Sequence, residues 1–427
     1  MTTRPIFAST PRASTARVAQ IAGLCLVFLI VLISTGNFAL GLLDPERSGQ
    51  LQQQVVETLW FAVAVVSLPF ARVDRHDWDR RVGIFCAFIF YAVLSSLWAG
   101  PAALAKGVVL AFNCFAVYLL VLTQDVEEVI DTVVGALFVL IAVSLALVLV
   151  RPDIAVVEDW QHPGQWSGVF DQKQTLGITS AILFYLAAMR FTARRGMAWR
   201  GYHVVVAAVA LTTMVGSGSR GGAGLTALAV ALGFLSKRFS AVARVLTVIP
   251  IAALAVSAVF FSMLWSTNAD YLSFDGIEVD FTERTKIWKH AIDWITGDSM
   301  VFGYGLDGFW TRKDVIEAFL GSHTWVLDNY HNGYLAIFCD CGLIGVVLFL
   351  ASAFALAGMN PWTNSGAMET KTLMAGFLAL FAVINVTETY LLRSTNLASI
   401  LFFFCTLHLF ATERSDRLHA LPAMERL

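Results

Sequence analysis

Charge is what this chain has least of. Only 14% of its 427 residues are Asp, Glu, Lys or Arg, 57% are hydrophobic, and the mean hydropathy is +0.70. Soluble domains carry about 25% charged residues, so a water-soluble enzyme is excluded and a multispanning membrane protein is indicated. The net charge of −2 says nothing about nucleic acid, but no basic cluster with interleaved aromatics is present, so no nucleic-acid partner is expected. Cysteine is also sparse. Its six residues (Cys25, Cys86, Cys114, Cys339, Cys341, Cys405) all lie in apolar stretches, and none stands in the long polar segment where an oxidising compartment would permit a disulfide. No H-E-x-x-H, G-x-S-x-G, P-loop or D-x-D motif with supporting context is present. Cys339-Asp340-Cys341 lacks a second cluster at ligand spacing, so no metal or cofactor is expected.

Long apolar runs are abundant. A spanning helix needs about 20 mostly apolar residues, and such stretches recur from Val18 almost to Phe410. The expected fold is all-α, a polytopic bundle of about twelve spans forming a single membrane domain over 1–427. Their expected extents are Val18–Phe38, Val55–Ala71, Val82–Ala99, Ala105–Leu122, Val129–Val150, Gln174–Phe191, Tyr202–Gly216, Gly221–Ser236, Val245–Trp265, Asn332–Ala357, Thr372–Tyr390 and Asn396–Ala411. The first is longer than a signal-peptide core and no A-x-A site follows it, so it reads as a retained span.

Sidedness follows from arginine. Arg72, Arg75, Arg80 and Arg81 follow the second span; Arg190, Arg194, Arg195 and Arg200 the sixth; Lys237, Arg238 and Arg244 the eighth. The positive-inside rule puts these alternate loops and both termini in the cytoplasm. The long loop, residues 266–330, then faces outward, and there acids outnumber Lys plus Arg. This loop is not featureless. From Arg284, the run R-T-K-I-W-K-H-A-I-D-W-I puts Trp288, Ala291 and Ile295 on one helical face, with Arg284 one turn before Trp288 and Gly297 as a stop. A second short helix is expected from Thr311 to Gly321, with Asp314 as a capping partner.

Few residues in such a chain can carry chemistry. Gly216-x-Gly218-x-x-Gly221 spells a dinucleotide fingerprint, but it joins two spans rather than a strand and a helix, so it predicts a tight turn or close helix approach. Arg220 within it is either an interfacial anchor or a phosphate ligand helped by the N–H groups of the next helix. His331 opens the tenth span, where a helix start would favour the neutral imidazole that a general base needs; the alternative is a structural role. Asp340, nine residues on, lies opposite His331 on that helix, since nine residues turn it by about 900°. An intramembrane acid is a functional candidate by default, with a packing hydrogen bond as the equal alternative. Lys173 stands at the outer start of the sixth span, and alone reads as snorkelling. Glu388 and Arg393, in the last outer turn, read as a mutual pair.

Together these residues resemble the bacterial O-antigen ligase and Wzy-type polysaccharide polymerase superfamily. Gly216–Gly222 is similar to its serine-arginine-glycine turn, and Arg284-x-x-x-Trp288 with Phe302-Gly303-Tyr304-Gly305 to its outer-loop signature. His331-Asn332-Gly333-Tyr334-Leu335 with Asp340-x-Gly342-Leu343-Ile344-Gly345 is similar to its histidine motif. Gly168-Val169-Phe170-Asp171-Gln172-Lys173-Gln174 resembles a box of the exopolysaccharide-polymerase branch, with Gln172 and Gln174 where histidine and asparagine are expected.

The resemblance implies metal-independent, inverting transfer of an undecaprenyl-diphosphate-linked oligosaccharide at the periplasmic face of the inner membrane. The acceptor would be a lipid-linked repeat or a lipid A core sugar, and a chain-length regulator a possible partner. Arg220, Arg284 and Lys173 would bind the diphosphate, and His331 would take the acceptor's proton, with Asn332, Asp340, Glu388 and Arg393 as secondary candidates. The lysine box favours polymerase over ligase. A flippase would instead show charged residues spread through the bundle and a repeat between halves.

Overall fold

The computed structural model describes residues 13–35, 48–71, 80–158, 163–192, 196–266, 272–274, 277–279, 284–321, 329–359 and 368–420. Arg72, Arg75, Arg194, Arg195 and His323 lie outside them, and of Arg220 only the backbone is described. The fold is an all-α polytopic bundle. Helices α1 (Ala13–Thr35), α2 (Ser48–Ser67), α3 (Arg80–Ala99), α4 (Pro101–Thr123) and α5 (Val126–Val150) come first, followed by one turn, α6 (Pro152–Ala155). Then come α7 (Lys173–Phe191), α8 (Met197–Gly216), α9 (Arg220–Ser236) and α10 (Ser240–Ser266). Short helices α11 (Arg284–Trp294), α12 (Asp298–Phe302) and α13 (Lys313–Leu320) precede α14 (Gly333–Ala357), α15 (Met368–Ile384) and α16 (Leu397–Ala420). The strands are two antiparallel pairs, Val156–Val157 with Gln165–Trp166 and Leu272–Phe274 with Ile277–Val279.

Each expected span falls on a helix, and eight helices among the described residues are long and apolar enough to cross a membrane: α1, α2, α3, α4, α5, α8, α10 and α14. α15, at 17 residues, is shorter than these, and α7 carries Lys173 and Arg190 near its ends. Residues Leu176–Leu183 of α7 are buried without a break, as are Thr370–Ala382 of α15. These two helices form the bundle's axis, while Val204, Val205 and Val215 of α8 and Val256 and Val259 of α10 face outward.

Three expectations need correction. The eleventh segment was expected to run to Tyr390, but α15 stops at Ile384 because Asn385 turns the chain; its Oδ1 accepts from the N–H groups of Tyr390 and Leu391, both at 3.0 Å. The helix expected at Thr311 starts at Lys313, and Asp314 pairs with Arg312 rather than capping. Arg190 is no loop charge. It is 4% exposed, pairs with Asp131 at 2.8 Å and Glu127 at 3.3 Å, and lies against the Trp199 ring, so acids from α5 neutralise it.

The 284–321 segment has its own apolar core. Ile287, Trp288, Ala291, Ile292 and Ile295 pack with Phe309, Val315 and Phe319 onto Leu264 of α10 and Leu335, Ala336 and Cys339 of α14. The face expected of α11 is the buried one, which leaves Arg284 at its edge.

Candidate active site where loop, α14 and the 385–396 turn meet

Three segments converge at one end of the bundle. Tyr185, late in α7, donates to Leu373 O at 2.8 Å, early in α15, so these helices run antiparallel. Gly177, early in α7, lies against Ser217 and Ser219 at the start of α9. The first turns of α7 and α9, with Lys173 and Arg220, therefore share the end where α15 finishes. The residue run that opens α14 is there too, because Gly333 N donates to Asn385 O at 2.8 Å.

The centre of this end is Glu388. One carboxylate oxygen accepts from Arg284 Nη2 at 2.8 Å, and the other lies 3.5 Å from His331 Nδ1. Arg284 Nη1 also donates to the Thr387 carbonyl. A guanidinium has five N–H donors; these two bonds leave others available to a ligand. The His331 side chain is 31% exposed while its Nδ1 is buried, so the ring turns one nitrogen toward Glu388 and keeps an exposed edge. Glu388 and Arg393 are therefore not the mutual pair expected. They diverge because the 385–396 turn is irregular, and Arg393 reaches Asp307 instead.

His331 is not the helix start either. Asn332 is the N-cap of α14, its side-chain oxygen accepting from Tyr334 N and Leu335 N, both at 2.9 Å. Its amide donates to Val386 O at 2.6 Å, and its own N–H donates to Thr389 Oγ1 at 3.0 Å. Asn332, proposed as a secondary site residue, is thus the clamp that holds His331 over Glu388.

Asp340 belongs to a second polar cluster; helical spacing from His331 does not apply to it, since His331 lies before the helix. Tyr330 OH donates to one of its oxygens at 2.6 Å, and Asp307 N donates to the other at 3.2 Å. The Asp307 carboxylate pairs with Arg393 and, at 3.1 Å, with Lys106 of α4. Burial pushes the Asp307 carboxyl up, but Arg393 and Lys106 outweigh it and hold it below its ordinary value. Burial, then Asp340, pushes the Tyr330 hydroxyl well above the usual tyrosine range, keeping it a donor.

Backbone geometry shows why the motif glycines stand where they do. At Gly342 (φ 63°, ψ −165°) α14 kinks, and a Cβ there would strike Val301 O. The same is true in reverse at Gly303 (φ 75°), where a Cβ would strike Asp340 O. With both side chains missing, Tyr304 N and Gly305 N reach Cys339 O and Asp340 O, each at 2.8 Å. Among the described residues, the positive-φ non-glycines are Asp307, His331 and Leu392, and all three lie here. Backbone held in such regions costs about 1–3 kcal/mol each and concentrates at functional sites.

Lys173 and the glycine turn form a neighbouring patch. Lys173 Nζ donates to Gln165 Oε1, Gly218 lies against the same glutamine, and Gly216 lies against the Trp166 ring. The close approach expected of these glycines is therefore to the Gln165–Trp166 strand. Gly222 meets only Ser219 of its own turn, not another helix. Lys106, Asp307, Tyr330 and Thr387 carry no signal in the sequence that marks them as site residues. Asp307 adjoins the Gly303–Gly305 motif, but its partners come from α4 and the 385–396 turn.

No curated protein matches this chain. Residues 204–350 match the family model described as O-antigen ligase. That stretch holds the glycine turn, Arg284, Gly303–Gly305, His331 and Asp340–Gly345, while Glu388, Arg393 and Lys173 lie beyond it. Over that stretch the chain is similar to the O-antigen ligase/Wzy superfamily, and the match supports a membrane enzyme of the glycan-transferring ligase and polymerase kind.

Proposed function

We propose that the protein transfers a glycan from a polyprenyl-diphosphate carrier to an acceptor hydroxyl, with His331 as general base. The observation that carries this reading is Glu388 set between Arg284 at 2.8 Å and His331 at 3.5 Å. A carboxylate facing Nδ1 favours the tautomer protonated there, which leaves Nε2 to accept. The acceptor oxygen attacks the anomeric carbon and its proton passes to Nε2. The bond from carbon to the diphosphate oxygen breaks, the electron pair leaving with the lipid diphosphate. Attack opposite the leaving group inverts the anomeric centre. Arg284 and Arg220, aided by Lys173, offset the charge that develops on the diphosphate. Glu388 stabilises the imidazolium, and Asn332 fixes the ring's approach. The residues themselves provide the base and the cations, so the reading needs no cofactor.

The site faces the periplasm from the inner membrane, with both termini in the cytoplasm. The opposite end carries Arg80, Arg81, Arg200, Lys237, Arg238 and Arg244, the pattern of a cytoplasmic face. The lysine box around Lys173 favours polymerisation of lipid-linked repeats, in company with a chain-length regulator. The description of the matching family model favours the second reading, transfer to a lipid A core sugar.

The test is transfer by purified protein from undecaprenyl-diphosphate-linked glycan. His331→Ala should lose at least about 10²-fold in kcat with donor binding retained, while His290→Ala, which removes a ring bonded to Val315 O at 3.1 Å, should keep transfer. Near wild-type transfer by His331→Ala would sink the assignment and leave Glu388 as the candidate base. Offering the donor with a second lipid-linked repeat or with a lipid A core separates polymerase from ligase.

A further inference from the structure

A second concave surface lies beside the candidate active site and plays no part in the chemistry above. It is a pocket of about 440 Å³ lined by Trp98, Asp298, Ser299, Phe302, Tyr304 and Arg312, with Gly303 at its floor. Its aromatic walls are held in place. Trp98 spends its single donor on Gly303 O at 3.2 Å, which fixes the indole and leaves the ring 45% exposed. Tyr304 is tied through its hydroxyl to Trp294 O and through its N–H to Cys339 O. The Arg312 guanidinium lies 5.1 Å over the Tyr304 ring and is braced by Asp314. Phe302 adds an apolar face that is 49% exposed, and the Asp298 carboxylate brings hydrogen-bond acceptors.

We propose that this pocket binds a pyranose ring of a substrate glycan, an inference that rests on the glycan-transfer reading. A pyranose has two kinds of surface. Its axial C–H bonds carry a small positive charge and seat on the negative face of an aromatic ring, and its hydroxyls bond to a carboxylate and a guanidinium in charge-assisted fashion. Rigid aromatic platforms beside one acid and one arginine supply both, and they bind at little entropic cost because they are already ordered. The volume lies within the range of small-ligand sites. Position supports the same conclusion. The Gly303–Gly305 backbone that forms the floor runs on to Asp307, which joins Asp340 and Arg393, and Asp340 accepts from the hydroxyl of Tyr330, the residue before His331 in the chain. A sugar held here would be tied to the segment bearing His331 through the 303–307 backbone and the Asp307–Asp340–Tyr330 hydrogen bonds. An aromatic belt at the membrane surface would also expose Trp98 and Phe302, but it has no use for Asp298 and Arg312 arranged around the same hollow.

Saturation-transfer NMR on the full-length protein in nanodiscs, with the methyl glycosides of glucose, galactose and N-acetylglucosamine as probes, reads binding without turnover. Wild type should saturate ring C–H protons of at least one glycoside. Trp98→Ala and Asp298→Asn should weaken that binding by about tenfold, the scale of one lost ring contact or charged hydrogen bond, while Trp98→Phe retains most of it. No saturation of any glycoside, or equal saturation in Trp98→Ala, would overturn the proposal. Transfer kinetics then identify the source of the sugar. A Trp98→Ala increase in KM confined to the acceptor assigns the pocket to the acceptor glycan, one confined to the donor assigns it to the donor, and no change in either rejects it. If wild type transfers no glycan, the functional reading fails, and the glycoside titration still judges the pocket on its own.

Discussion

Glu388 is the residue on which two of the sequence candidates converge. Its two oxygens face Arg284 and His331 from one side chain, so a single substitution separates the roles of shape and charge. In Glu388→Gln the amide oxygen can still accept from Arg284, and the turn at Thr387 is untouched. What disappears is the negative charge beside the imidazole that, on the proposed mechanism, becomes positive during transfer. The expected result is a fall in kcat of about 10²-fold with the donor KM nearly unchanged, because the cost falls on the transition state and not on binding. Steady-state kinetics on the purified variant check this, and a wild-type kcat would show that the carboxylate serves only to hold Arg284. Nothing in the sequence around Glu388 distinguishes this role from a local pair with Arg393. The two stand five residues apart in an outer turn, and only the irregular course set by Asn385 sends one to His331 and the other to Asp307.

At the scale of elements, the site depends on the contact between the kink of α14 and the Gly303–Gly305 segment. Gly342 sits at φ 63°, ψ −165°, a region essentially closed to residues with a side chain, and its missing Cβ admits Val301 O. Gly342→Ala should therefore cost more than the roughly 1–3 kcal/mol of backbone strain alone, since the loop must also move away. The displaced loop would take Asp307 with it, and Arg393 and Lys106 would lose their shared partner. A lower unfolding midpoint together with lost transfer is expected; a variant as stable and active as wild type would show that the kink is incidental. This contact was half legible. The glycines stood out in the motifs, and the amphipathic pattern from Arg284 gave the buried face of α11 correctly, because local periodicity is written in nearest neighbours. That the two motifs dock on each other was not legible. Their partnership is made by backbone carbonyls, which leave no mark on side-chain identity.

For the whole molecule, each expected apolar run falls on a helix among the described residues, whereas the buried axis formed by α7 and α15 was invisible to hydropathy. A helix wrapped in protein and a helix wrapped in lipid are both apolar, and the difference lies in which faces are covered. Sidedness is the property on which the function turns, and arginine carries it. The end of the bundle bearing Arg81, which bonds to Gly358 O at 3.2 Å, and bearing Lys237 at the close of α9, lies opposite the end bearing His331 and Glu388. If the arginine-rich end is cytoplasmic, the site opens to the periplasm, where a flipped lipid-linked glycan would meet its acceptor. In a variant without native cysteines, Gly321→Cys, at the exposed end of α13, should react with a membrane-impermeant maleimide added to intact spheroplasts, and Ala198→Cys, in the first turn of α8, should react only after lysis. The reverse pattern would turn the protein over in the membrane, place Arg284, His331 and Glu388 on the cytoplasmic side, and remove the extracytoplasmic glycan from the reach of the proposed base.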